Sequence, residues 1–252
     1  TEKPDETAAP EAPSIDRSNY QTIYTLEAWQ RVLSQLQTAR IIAFDTETTS
    51  LDYMKAQLVG FSIAWQTGQS NAAIYVPLAH DYEDAPAQLS LDDVKNDLVT
   101  LLTATNISVV GQNLKYDKNV LAKYGIEITN VGSDTMLQSY IFNSTATRHD
   151  MDNLALKYLG HKCISFEDIA GKGAKQITFN KISIDEAAPY AAEDADITLR
   201  LYEYFQTQLS DIPSLNKILN EIELPLVDVL SKIEQTGVLI DADQLHNLSA
   251  EF

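Results

Sequence analysis

The side chains best equipped for chemistry in this 252-residue chain are carboxylates, and three of their settings stand out by spacing. Asp45-Thr46-Glu47 follows the apolar run Ile41 to Phe44. In an extended strand, residues i and i+2 point to one face, so these two carboxylates can converge on a single cation. Asn113 and Asp117 follow a second β-branched run and enter a helical pattern, which places them one turn apart. Tyr190 and Asp194 bear the same i, i+4 relation in a later helical segment. Each pair also has an ordinary reading. An isolated D-x-E is most often a pair of loop acids, an Asn at a helix start is most often a cap, and Tyr190 and Asp194 could be a packed ring and a solvated acid. Ala191, Ala192 and Ala195 beside them permit the close approach of another element or of a substrate. Hard oxygen donors of this kind suit divalent cations, and cations so held can meet a phosphate in place of Lys or Arg.

Positioning such groups requires strands that end together and helices laid across them. Leu26, Trp29, Val32, Leu33 and Leu36 recur at helical spacing between Tyr24 and Gln37. Ile41 to Phe44 reads as a buried strand ending at the polar cluster that follows. Residues 58–65 and 72–77 read as two more strands across a turn-like TGQSN. Ser90 and Asp93 mark a helix start, residues 107–111 form a short strand, and a helix carrying Leu114, Leu121 and Tyr124 stops at Gly125. The second half is mainly helical, over 133–142, 151–159 and 190–207. Ser183 and Glu186 have capping-box spacing, so Pro189 predicts either a kink or a fresh helix start. A stripe from Ile218 to Ile233 ends at Gly237, and Asp241 opens another helix. Strands first and helices later predict an α/β fold with a central mixed sheet flanked by helices, plus a C-terminal helical extension.

Composition narrows the function. With 36 acidic against 18 basic residues, the net charge of −18 excludes a protein that coats nucleic acid through a basic surface. The single cysteine, Cys163, excludes an internal disulfide and fits a cytoplasmic location; it and His161 look too isolated for a zinc site. No apolar run approaches the length of a membrane span, and the first residues do not read as a signal peptide. Residues 1–18 have the composition of a linker or disordered arm. The AGKGAK segment at 170–175 lacks the full phosphate-loop pattern, which leaves Lys172 and Lys175 as candidates to lie beside a strand of nucleic acid. The chain does not begin with Met and stops inside a helical pattern, as expected of a piece of a longer protein.

The order of these motifs resembles the exonuclease motifs of the DEDD superfamily, in its Tyr-bearing branch. More closely, DTETTSLD, VGQNLKYD, DTMLQSYIFNS, RHDMDNLA, FEDIAGKGAKQITFN and YAAEDADITL resemble the 3′→5′ proofreading domain of bacterial family A DNA polymerases. The resemblance runs from about residue 20 to the end, where ELPLVDVLSKIEQTGVLID looks like the start of a polymerase domain. It implies a ribonuclease H-like fold, an exonuclease domain over 19–210 and a truncated polymerase start over 211–252. It implies two divalent ions, Mg²⁺ or Mn²⁺, with Asp45 bridging both, Glu47 and Asp194 completing one site and Asp117 supporting the other. Tyr190 would orient the attacking water with Glu47; Leu51 would wedge against the terminal base and Phe166 stack on a base; Gln112, Asn113 and Arg148 would hold the sugar-phosphate. Leu51 and Phe166 could instead be core residues. The implied partners are a single-stranded or frayed 3′ end of DNA and the polymerase domain of the parent chain, with the protein a monomer away from any membrane. An RNA exonuclease of the ribonuclease D type shares the carboxylates and the Tyr, and a non-catalytic scaffold is the rival from another class.

Overall fold

Alternation along the strands decides the architecture. In β2 (Ile41–Thr48), Ile42 and Phe44 face one way and Ala43, Asp45 and Glu47 the other. The same division runs through β3 (Leu58–Thr67), where Phe61, Ile63 and Trp65 oppose Ala64, and a register shift at Val59 interrupts the alternation. In the computed structural model, which describes residues 15–251, these strands belong to one six-stranded mixed sheet. Its other members are β1 (Tyr20–Thr22), β4 (Ser70–Pro77), β5 (Ser108–Gly111) and β6 (Val131–Asp134). The order is β1-β4-β3-β2-β5-β6. The pairs β2–β3 and β3–β4 are antiparallel; β1–β4, β2–β5 and β5–β6 are parallel.

The large-residue face packs against α1 (Leu26–Leu36), α2 (Leu91–Thr103) and α3 (Leu114–Ala122) around Trp29, Phe44 and Phe61. The small-residue face receives one long helix, α7 (Ile184–Ser210), whose Ala192 and Ala195 meet Ala43, Ala64 and Ala73. Alanine on both surfaces lets helix and sheet approach closely. Beyond the sheet, α4 (Thr135–Asn143), α5 (Met151–Leu154), α6 (Phe166–Ala170) and α8 (Pro213–Ile218) surround the rest of α7. α9 (Leu224–Thr236) lies along α3, and α10 (Ala242–Glu251) follows it.

Several boundaries differ from expectation. β2 does not stop at Phe44 but continues through the carboxylates, because β3 pairs with it from Ala43↔Ala64 to Glu47↔Gly60. Gly60 is required there: a Cβ at this position would collide with the Tyr75 ring. β1 and β6 were absent from the sequence reading, since short polar runs carry no hydrophobic period and are held by backbone pairing. Pro189 starts no new helix; α7 begins at Ile184 and runs through it. The capping box at its start is not formed, as Ser183 donates its hydroxyl to the Glu186 carboxylate (2.7 Å) instead of accepting from the backbone. Gly125 does close the α3 turn, with φ of 69° and Ile126 N–H on the Leu121 carbonyl. Residues 1–14 of the expected arm lie outside the described residues; Ile15 and Arg17 pack against the domain.

Candidate active site

Three carboxylates meet where β2 and α7 cross. The ligand oxygens of Asp45, Glu47 and Asp194 lie within 4.8 Å of one another. Strand alternation supplies the first two, and the alanine packing of α7 brings the third down onto them. Burial and mutual repulsion disfavour the charged forms. Burial pushes the Asp45 carboxyl up to about 7. Glu47 is raised well above the ordinary range, by burial first and then by Asp45, Asp194 and Asp117. Asp194 is raised by burial and by Asp45. Glu47 Oε1 is buried and finds no hydrogen-bond donor among the described residues. An orphaned buried oxygen beside two more carboxylates is what a divalent cation would satisfy, so the donor set fits a metal.

Asp117 joins from the opposite side of β2. Thr46 points away from its two neighbours, and Asp117 Oδ1 accepts from both Thr46 N–H (2.9 Å) and Thr46 Oγ1 (2.6 Å). That leaves Oδ2 for the site. Burial and the charge of Asp45 raise its pKa well above normal. The residue that positions α3 is Asp134, which the sequence reading missed. Its buried carboxylate accepts from Asn113 and Leu114 N–H at the start of α3 and from Met136 and Leu137 N–H at the start of α4. An Asp directly before a helical pattern was the available signal. Asn113 makes no side-chain cap; it sits at φ 61°, ψ 45° and is exposed, so it does not share a buried face with Asp117.

Tyr190, one turn before Asp194 on α7, belongs to an aromatic wall. Its ring lies 6.0 Å from Phe179 and 6.3 Å from Phe166, and Phe166 stacks on Phe179 with planes 10° apart. Burial, then the charges of Asp194, Glu47 and Asp45, hold the Tyr190 hydroxyl well above its usual pKa. Phe166 is half-buried in this wall, whereas Leu51 is 95% exposed, so a core role is excluded for Leu51. Gln112 is engaged internally, donating to the His149 carbonyl (2.8 Å) and accepting from Thr135. Arg148 is exposed and paired with Asp150 (3.0 Å). The AGKGAK segment follows α6 rather than a strand, and Lys172 pairs with Glu167. His161 and Cys163 are not isolated after all; the fold gathers them with Glu193.

A family model described as 3′–5′ exonuclease matches residues 20–210, most of the chain and every element of this site. The chain belongs to the 3′–5′ exonuclease family. This exonuclease is 51% identical over 243 residues to DNA polymerase I of Pseudomonas aeruginosa, covering 96% of the chain and 26% of that protein. It is 40% identical over 251 residues to DNA polymerase I of Rhizobium leguminosarum, covering 94% of the chain and 24% of that protein. The exonuclease thus spans about a quarter of the length of the curated relatives it matches. Its fold is shared with the POL domain of Pol1 from M. smegmatis, solved with DNA primer-template and dNTP, at a TM-score of 0.70 and 20% identity. That likeness covers 92% of the exonuclease and 34% of that chain.

Proposed function

We propose that this exonuclease removes nucleotides from a single-stranded or frayed 3′ end of DNA, by two-metal hydrolysis that releases 5′-monophosphates, as the proofreading module of a DNA polymerase I. The observation that carries the proposal is the convergence of Asp45, Glu47 and Asp194 around an unpartnered, buried Glu47 oxygen, with Asp117 beside them. Mg²⁺ or Mn²⁺, when bound, would activate the attacking water and neutralise charge on the scissile phosphate. Asp45, whose charge acts on both Asp194 and Asp117, would be shared between the two ions; Glu47 and Asp194 would complete one site, and Asp117, one oxygen already held by Thr46, would support the other. Tyr190 stays protonated, so its role is to donate a hydrogen bond that orients water with Glu47 rather than to act as a base. Leu51, being exposed, is free to wedge against the terminal base, and Phe166 to stack on a base. Gln112, Asn113 and Arg148 would hold the sugar-phosphate, as the family resemblance implies, Arg148 by exchanging its pairing with Asp150 for a phosphate.

Residues 19–210 form the exonuclease and 211–252 the start of the polymerase region in this reading. Most of each DNA polymerase I relative lies outside the matched segment, and among the described residues no helix is long and apolar enough to cross a membrane. The protein would act as a cytoplasmic monomer. The deciding experiment is digestion of 3′-labelled single-stranded DNA, and of RNA of the same sequence, with Mg²⁺, Mn²⁺ or EDTA. Metal-dependent release of 5′-deoxynucleoside monophosphates is expected, and Asp117→Ala should abolish it while circular dichroism stays unchanged. Preference for RNA, or retained activity in Asp117→Ala, would overturn the reading.

A further inference from the structure

Glu193 immediately precedes Asp194 on α7, yet its side chain is 0% exposed and takes no part in the metal cluster. Its two oxygens are fully used. Oε1 accepts from Arg17 Nε (3.1 Å), from Arg17 Nη2 and from His161 Nε2 (2.9 Å); Oε2 accepts from the Ile164 backbone N–H (2.7 Å). A buried carboxylate with this many donors forms strong, charge-assisted bonds. Cys163 lies within 4.8 Å of the same group, but a cation there would have to displace the Arg17 guanidinium. The cluster is therefore an ion clamp rather than a metal site. What it clamps is specific. Ile164 is followed by Ser165, the N-cap of α6, and α6 opens with Phe166, whose ring lies against Phe179 and Tyr190.

We propose that Glu193 is a positioning residue of the exonuclease, holding the 161–165 segment on α7 so that Phe166 stands at a fixed distance from Tyr190 and Asp194. One helical turn then sets both the cutting centre and the wall along which the DNA strand lies. The inference rests on the reading of Phe166 as a strand contact, and the test separates the two. Glu193→Gln keeps the shape but turns an amide N–H₂ toward donors. Its KM for a single-stranded oligonucleotide should rise about tenfold, the loss of one charge-assisted hydrogen bond, with kcat within about twofold. Phe166→Ala should raise KM similarly, and the double variant should be no worse than Phe166→Ala alone. If Phe166→Ala leaves KM unchanged, the strand-contact reading falls and takes the proposal with it. If Phe166→Ala raises KM but Glu193→Gln does not, or the two effects add in full, the Glu193 proposal alone fails. A fall in kcat at constant KM in Glu193→Gln would mean that it acts through Asp194, and would also overturn it. Should Glu193→Gln not fold, Arg17→Met and His161→Gln carry the same test, each removing a donor from the more open side of the clamp. A smaller rise in KM that does not add to Phe166→Ala supports the proposal, and an unchanged KM sinks it.

Discussion

Tyr190 illustrates how a side chain acquires a role from its surroundings. Burial, and then three carboxylates, keep its phenol protonated through the neutral range, so it can donate a hydrogen bond but not take a proton. The ring itself is fixed by Phe166 and Phe179. Tyr190→Phe keeps that packing and removes only the hydroxyl. Its single-turnover cleavage rate is expected to fall roughly 10²-fold, the size of a misplaced reactant, with Tm unchanged. A Tm loss of several degrees alongside the rate loss would assign the hydroxyl to stability instead. Thr46 is the second such case: its backbone N–H and its hydroxyl both donate to Asp117 Oδ1 and fix that carboxylate. Thr46→Val leaves the backbone donor and removes the shorter bond. The Mg²⁺ concentration for half-maximal activity should increase, and an unchanged metal requirement would show that the backbone donor suffices.

Two helices carry the geometry. α7 can bring Asp194 to β2 only because alanines face alanines across the sheet. Ala195→Val overpacks that contact, at a cost of about 1–3 kcal/mol, and lifts Asp194 away from Asp45. Urea unfolding should show the loss, and a metal titration of activity should shift to higher Mg²⁺. On the other face, α3 is held by α9 through the buried Asn119. Its amide accepts from Ser231 Oγ (2.7 Å) and Gln235 Nε2 (3.0 Å) and donates to Glu234 Oε2 (2.8 Å). Asn119→Ala leaves those groups without their partner and should destabilise by about 1–3 kcal/mol in chemical denaturation. An unchanged midpoint would mean that α9 docks by its other contacts, the Lys115–Glu234 and Lys118–Asp228 ion pairs among them.

At the level of the whole molecule, the carboxylate cluster makes stability depend on pH in an unusual direction. Asp45, Glu47, Asp117 and Asp194 all have folded-state pKa values raised above their ordinary ones, Asp45 to about 7. The folded protein therefore binds more protons than the unfolded chain once pH exceeds ~4, and stability falls as pH rises through the folded values. His80 works the other way. Its pKa is lowered by burial, so it loses stability on acidification. In EDTA the Tm should decline from pH 5 toward pH 8, and in Mg²⁺ the decline should flatten or reverse, because cations neutralise the cluster. His80 contributes equally to both series, so the difference between them isolates the carboxylates. Parallel slopes with and without Mg²⁺ would mean that the cluster does not hold the metal.

The sequence by itself determined the periodic parts of this protein. Strand alternation at Asp45 and Glu47 and helical spacing at Tyr190 and Asp194 are local rules, and the α/β class follows from element order. It could not say that β2 runs on through the carboxylates, since that depends on a partner strand with a glycine opposite Glu47. Nor could it find the buried acids that support the site. Glu193 looks like a solvated charge in a linear reading, because its partners lie in other segments, as far away as 176 residues in the case of Arg17. Asp134 is legible at most as the N-cap of α4, its hold on α3 being made only in the fold. Asn113 was misplaced for the related reason that a spacing of four implies a shared face only inside a helix, and it stands just outside one in a left-handed conformation. The candidate site was legible where its side chains repeat at strand or helix period. Its support was decided by tertiary structure, because a buried charge is tolerated only where distant donors converge on it.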